Sequence, residues 1–283
     1  MKYLTLRDGA RIPRLGQGTW YMGDDPKRIP EECDALKAGI EHGMTLIDSA
    51  EMYGGGRAES LVGKVVPGYP RDMLTLVSKV YPYNAGRDHI FVCCDASIRR
   101  MGAEYLDIYL LHWRGAIPLS ETVECMEELI KRGKIRRWGV SNFDVDDMEE
   151  LFRVRGGENC AVNQVLYHLG SRGVEYDLLP WLEKHNVPLM AYCPLAQAGT
   201  LRRGLLNDKT VQEIAQAHHA APVQILLAFL MSKSNVFAIP KAGSKKHTLE
   251  NAAAADIVLS PDECTRLDGA FPPPDRKTFL DIV

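Results

Sequence analysis

Strand-like and helix-like stretches alternate along nearly all of this chain, and that alternation constrains its fold more than any other feature. Eight short apolar runs, at 15–19, 44–48, 74–79, 106–111, 137–140, 161–164, 187–191 and 236–239, read as strands. Each is followed by a stretch with helical spacing, at 30–42, 58–66, 88–101, 120–132, 145–155, 177–185, 209–232 and 247–255. Gly43 stops the first of these helices, while Ser120 reads as a cap and Gly133 as a stop for the fourth. Ahead of them, residues 3–6 and 10–12 suggest a hairpin turned at Arg7-Asp8-Gly9, where Asp-Gly suits a type I′ turn. Continuous apolar strands are what a parallel sheet covered by helices requires. Eight βα units within about 250 residues match one closed (β/α)8 barrel of the α/β class, with the hairpin capping its bottom. A doubly wound open sheet competes, but Gly16-Gln-Gly18 continues to Tyr21 where the phosphate fingerprint needs glycine, and no helix starts there. No linker or low-complexity tract divides the chain, so residues 1–283 read as a single domain.

The ends of those runs carry the residues of chemical interest. Asp48 closes Met44-Thr-Leu-Ile47, Lys79 closes Leu74-Thr-Leu-Val-Ser78, and His112 closes Ile108-Tyr-Leu-Leu111; Tyr53 follows on the loop after Asp48. A parallel barrel builds its chemistry on the C-terminal face of its strands, where such positions converge. A free phenol titrates near about 10 and is a poor acid at neutral pH. An ammonium within roughly 4–6 Å favours the phenolate and lowers that value, and a carboxylate such as Asp48 holds the ammonium's charge. Tyr53 would then protonate a carbonyl oxygen while a neutral His112 donates to the same oxygen and orients it. The hydride of such a reduction comes from an organic cofactor. Taken singly, each residue also has a structural reading: Asp48 as a cap, Lys79 as a strand-end charge, His112 as a hydrogen-bonded core histidine, Tyr53 as loop packing. Their shared placement at consecutive strand ends weighs toward function and leaves both readings open.

Composition narrows the classes further. With 46% hydrophobic and 25% charged residues and a formal net charge of −3, the chain has no charge excess suited to nucleic acid or a membrane surface. Its longest apolar stretch, 223–231, is interrupted by Gln224 and falls short of the roughly 20 residues that span a bilayer. The first residues contain no apolar signal core, so a cytoplasmic location is expected. Seven cysteines, an odd count without a Cys-x-x-Cys pair, read as buried thiols in a reducing compartment. Histidines are scattered, and the adjacent His218-His219 cannot face one site from a helix, so no metal centre is expected.

Eight segments, in order, resemble motifs of the aldo-keto reductase family. They are Gly18-Thr-Trp20, Asp48-Ser-Ala-Glu-Met-Tyr-Gly54, Ser78-Lys79, Leu110-Leu-His-Trp113, Trp138-Gly-Val-Ser-Asn-Phe143, Asn163-Gln164, Tyr192-Cys-Pro-Leu195 and Ile239-Pro-Lys241. The resemblance implies a TIM barrel that binds a nicotinamide cofactor without a Rossmann fold. It sets the family's catalytic tetrad on Asp48, Tyr53, Lys79 and His112, with Tyr53 as proton donor. It implies further that Ser141, Asn142 and Gln164 hold the nicotinamide carboxamide, that Tyr192 stacks on the ring, and that Gly18, Thr19 and Trp20 adjoin it. The segment 194–198, with Cys193, Pro194, Leu195 and Gln197, matches one that crosses the pyrophosphate. Lys241, Ala242, Ser244, His247, Glu250 and Asn251 match the adenosine end, where a helix start near 247 would favour phosphate in any case.

Two departures bear on the cofactor. Ala242 stands where the family often has serine, and His247 where it often has the arginine that pairs with the 2′-phosphate of NADPH. A histidine donates a hydrogen bond but carries little charge at neutral pH. NADPH is therefore the expected cofactor, with more tolerance of NADH than is usual in the family.

Trp20, Tyr21, Met22, Tyr81, His112 and Trp113, all just past strand ends, are the candidate substrate wall. The stretch after the last helix is short compared with relatives whose long loops narrow substrate choice. An open site predicts small aldehydes and dicarbonyls such as methylglyoxal, as in bacterial members of the family. The rival readings are a nucleotide-binding regulatory barrel of the channel β-subunit type, which would turn over slowly, and a metal-dependent barrel hydrolase. The first is disfavoured by the intact tetrad, the second by the absence of His-x-His or His-Glu-x-x-His. The expected partner is a small carbonyl compound, with no nucleic acid, membrane or obligate protein partner, and the family leans monomeric.

Overall fold

The computed structural model describes residues 1–197 and 199–283. Strands β1 (Tyr3–Thr5) and β2 (Arg11–Pro13) form the antiparallel hairpin. The next four strands are β3 (Gln17–Gly18), β4 (Leu46–Asp48), β5 (Thr75–Val80) and β6 (Leu106–Leu111). They continue into β7 (Ile135–Ser141), β8 (Asn163–Leu166), β9 (Leu189–Tyr192) and β10 (Val236–Ala238), and β3 to β10 pair in chain order as one parallel sheet. Parallel bridges Leu15–Ala238 and Gly18–Lys241 join its two edges. The sheet is thereby closed into the (β/α)8 barrel that the alternation predicts.

Side-chain period explains how the barrel is filled. Successive strand residues point to opposite faces, so Leu46, Val77, Leu110, Val162 and Met190 gather inside with Phe237 and Ile239. Leu4, Leu6 and Ile12 of the hairpin join that cluster and plug the bottom. Two residues beyond those inward positions come Asp48, Lys79, His112, Gln164 and Tyr192, on the same face and one layer higher. An apolar interior thus continues upward into a polar rim.

The outer ring begins with α1 (Ile29–Glu41), α2 (Arg57–Val62), α3 (Ile90–Arg100), α4 (Leu119–Lys131), α5 (Val145–Arg153) and α6 (Leu178–Lys184). It is completed by α7 (Thr200–Asn207), α8 (Lys209–Ala217), α9 (Pro222–Ser232), α10 (Lys245–Ala253) and α11 (Pro261–Ala270). Their apolar faces meet the outward strand residues in a second cluster that includes Leu36, Met126, Leu182 and Phe229. Among the described residues no single helix is long and apolar enough to cross a membrane.

Several local expectations are corrected. The hairpin turn is not type I′, because only Gly9 has a positive φ. Leu6 accepts from Gly9 N–H at 2.9 Å and donates to Ala10 O at 2.8 Å, so the left-handed residue is a bulge after an ordinary turn. Ser120 does not cap α4; Pro118 occupies that position with no side-chain cap, and its fixed φ sets the cap two residues earlier. The helical region 209–232 is two helices, broken by His219 at φ 51 and restarted with Pro222 in the first turn. The helices α7 and α11 were not anticipated, although the Ser260/Glu263 capping box of α11 is a readable signal.

Candidate active site

Register between neighbouring strands brings the four residues together. Asp48 of β4 pairs with Val77, two residues before Lys79 of β5, and His112 follows β6, its N–H bonded to Val80 O at 3.1 Å. Lys79 Nζ donates to Asp48 Oδ2 and to Ser49 O, each at 2.8 Å, and to Tyr53 Oη at 3.1 Å. Asp48 Oδ1 accepts from Gln164 Nε2 at 2.8 Å, and Thr19 Oγ1 donates to Asp48 O at 2.9 Å. The rings of Tyr53 and His112 meet edge to face with centroids 5.9 Å apart.

Burial decides the protonation states. It pushes the Asp48 carboxyl up and the Lys79 ammonium down, while their mutual attraction opposes both shifts. Loss of water, with Asp48 and Cys193 adding to it, pushes the Tyr53 phenol well above its ordinary value. The expected acidification of Tyr53 by Lys79 is therefore outweighed. One ammonium already bonded to a carboxylate favours the phenolate less than desolvation disfavours it. Tyr53 is held as the protonated acid. His112 is driven by burial, and secondarily by Lys79, down to about 2, so its ring is neutral. Among the described residues its Nδ1 is buried without a partner, which leaves Nε2 as the nitrogen available to a ligand.

Beside this group, the end of β7 and the middle of β8 supply amides. Asn142, at φ 59, turns its Nδ2 to His112 O at 3.2 Å and its Oδ1 to the Tyr192 hydroxyl, which donates at 2.9 Å. Ser141 Oγ donates to Gln164 O at 2.8 Å. The Gln164 nitrogen is engaged by Asp48, so its carbonyl oxygen is the atom free to accept from a carboxamide N–H. Asn142 has to exchange a partner to make the same contact. An aromatic face at Tyr192 among these amides suits a flat, amide-bearing ring.

Three adjoining cavities cross the C-terminal face of the barrel. The central one, about 510 Å³, is lined by Tyr53, His112, Trp20 and Trp113 together with Ser141, Asn142, Gln164 and Tyr192. The next, about 410 Å³, shares Trp20, Tyr53 and Tyr192 and extends along Gly18, Thr19, Asp48, Cys193, Pro194, Leu195 and Gln197. The third, about 570 Å³, shares Leu195 and Lys241 with the second and is lined by Ala242, Ser244, His247, Glu250 and Asn251. Shared walls join the three cavities into one groove, an elongated shape that suits a dinucleotide. Its donor set fits one: amides at one end, cations and the Ser244-capped start of α10 at the other. The segment 194–198 runs along it up to Gln197, and Ala198 lies outside the described residues.

Other expectations shift. Met22, 1% exposed, belongs to the outer core and lines none of the three cavities. The turn that bonds its N–H to Thr19 O at 2.9 Å sends it inward, while Tyr21, at φ 63, swings out. Tyr21 lines the second cavity rather than the central one. Tyr81 stands behind Trp113, edge to face at 5.8 Å, and does not reach the central cavity. Conversely, Met52, Arg114, Ile282 and Val283 do line that cavity, and Arg28 and Arg202 line the third. Met52 lay within a quoted motif, but nothing local marks the others. The terminal stretch is tied down by Lys277, which reaches Asp177 Oδ1 at 2.9 Å and Asp144 Oδ1 at 2.5 Å, and by Ser171 with Asp281. Its last two residues thus form part of the wall of a cavity that its shortness was expected to leave open.

Comparison with known proteins agrees with this geometry. Residues 14–271 match the aldo/keto reductase family. The chain is 54% identical over 282 residues to methylglyoxal reductase YeaE of Escherichia coli (strain K12), covering 100% of this chain and 99% of that protein. A crystal structure of an aldo/keto reductase from Klebsiella pneumoniae in complex with NADP and acetate has a TM-score of 0.97 at 54% identity, covering 100% of this chain and 99% of that one. Another from Klebsiella pneumoniae, in complex with NADPH, has a TM-score of 0.96 at 54% identity and covers 100% of both chains.

Proposed function

The chain belongs to the aldo/keto reductase family, and from that premise we propose that it reduces methylglyoxal and related small dicarbonyls and aldehydes to alcohols with NADPH. The observation that carries this reading is the Tyr53 hydroxyl 3.1 Å from the buried Lys79 Nζ, with His112 lining the same cavity. When bound, the nicotinamide cofactor supplies a hydride. His112 Nε2–H donates to the substrate carbonyl oxygen, orients it and stabilises the negative charge that grows there. Tyr53 gives its proton to that oxygen as the charge appears. Lys79 stabilises the phenolate left behind, and Asp48 keeps Lys79 charged and aimed. Gln164, bonded to the same carboxylate, couples the amide end of the groove to the tetrad.

Shape supports a small substrate. Trp20 and Trp113 wall the central cavity, and Ile282 and Val283 line it as well. Arg114 also lines it, but its guanidinium is engaged by Glu150 Oε1 at 2.9 Å and Ile117 O at 3.1 Å, so it offers little to an anionic substrate. The 54% identity with a methylglyoxal reductase across the whole chain points the same way. Steady-state oxidation of NADPH with methylglyoxal, glyoxal, simple aldehydes, ketoses and ketosteroids tests the reading. The expected order puts the dicarbonyls first in kcat/KM; a ketose or ketosteroid ahead of methylglyoxal would overturn it.

A further inference from the structure

The adenosine-end cavity is built from two parts of the chain that are distant in sequence. Lys241, Gly243, Ser244 and His247 come from the loop after β10 and the start of α10, whereas Arg28 and Glu31 come from the start of α1, which packs along α10. Arg28 Nη2 donates to the Gly243 carbonyl at 3.3 Å. A Cβ added to Gly243 would lie 2.8 Å from Arg28 Nη2 and 3.4 Å from Lys241 Nζ. The missing side chain therefore lets a guanidinium and an ammonium converge over one peptide. Burial lowers the Lys241 ammonium, and repulsion from Arg28 adds to it against the pull of Glu32 and Asp24. The carboxylate paired with Arg28 is Glu31, 3.6 Å from Nε with both side chains about half exposed, an arrangement worth little in water. Like charges drawn together at the wall of a cavity, beside the N-terminal end of a helix, suit an anion that bridges them.

We propose that Arg28 is a specificity-determining residue of the cofactor site, binding the 2′-phosphate of NADPH together with Lys241 and supplying the planar donor that His247 lacks. The inference rests on reading the groove as a dinucleotide site. It explains how an NADPH preference survives without an arginine at 247. Calorimetric titration of the full chain with adenosine 2′,5′-bisphosphate and adenosine 5′-monophosphate tests it without turnover. Arg28→Gln should weaken the bisphosphate roughly tenfold, the loss of one charge-assisted contact, and change the monophosphate less than about twofold. Gly243→Ala, which pushes Arg28 aside, should repeat the selective loss at smaller size. Equal weakening of both ligands, or of neither, by Arg28→Gln would overturn the role of Arg28. Failure of the unaltered protein to bind either nucleotide would instead overturn the reading of the groove itself.

Discussion

Lys79 and Asp48 form an ion pair closed off from water, their side chains 0% and 2% exposed and 2.8 Å apart. Two ions taken out of water lose hydration that their attraction only partly restores. The pair is retained here with every near atom in use: Ser49 O and Tyr53 Oη take the remaining Lys79 donors, and Gln164 takes the second carboxylate oxygen.

Removing one partner should therefore be worse than removing both. Lys79→Met is expected to destabilise the fold by about 3–5 kcal/mol by leaving a buried carboxylate alone. Adding Asp48→Asn to it should restore part of that loss. Urea unfolding of the single and double variants checks this; a double variant no more stable than the single one would contradict it.

Tyr53→Phe should lower kcat by roughly 10²–10⁴-fold, the range for a lost general acid, and leave NADPH binding intact. Nucleotide titration by fluorescence alongside steady-state turnover separates the two effects. If turnover stays near that of the unaltered enzyme, the proton comes from another group.

Acid stability should depend on His168. The ring is 3% exposed, and burial holds its pKa down to about 4, below the roughly 6.5 of an unfolded chain. As pH falls from 6.5 towards 4 the unfolded state takes the proton first, so stability present above that window is lost within it. The loss by pH 4.5 is roughly 2–3 kcal/mol. In His168→Asn an amide oxygen can replace the ring nitrogen that accepts from Gly170 N–H at 3.1 Å. Its urea midpoint should fall less between pH 7 and 4.5, and an unchanged slope would clear His168 of the effect.

At the proposed adenosine end, His247→Arg should raise the preference for NADPH over NADH. Measured as the ratio of kcat/KM values, the gain is expected to be roughly fivefold to thirtyfold, because one added phosphate contact is worth about 1–2 kcal/mol. A ratio that stays level or falls would remove position 247 from phosphate recognition.

Loosening the terminal stretch should act on substrate affinity before chemistry. Lys277→Ala removes the links to Asp144 and Asp177, which are exposed pairs of modest strength. KM for small aldehydes should rise roughly twofold to fivefold with kcat little changed. If kcat drops while KM holds, the stretch influences the reacting atoms rather than the mouth.

Much of the architecture was legible because its signals are local. The strand at 106–111 was read at its observed bounds, and the helix starting at 145 at its first residue. The break inside 209–232 was legible only in part, since His218-His219 fits a helix pattern until the left-handed His219 and Pro222 are taken together. Asp48, Tyr53, Lys79 and His112 were visible because polar residues at the ends of apolar strands stand out. Ile282 and Val283 were not, because their role depends on a terminal stretch folding back over the barrel.

The chain's own order of residues determined the closed parallel barrel and the face on which its polar residues gather, since both follow from two-residue and helical periodicities among near neighbours. Three things were decided only by tertiary structure. Met22 lies inside the core rather than on the groove. Burial holds Tyr53 protonated where its neighbours suggested acidification. Arg28 meets Lys241 over Gly243 because α1 lies along α10. Exposure, desolvation and convergence across the barrel seam are properties of the closed shape, and no short window of sequence carries them.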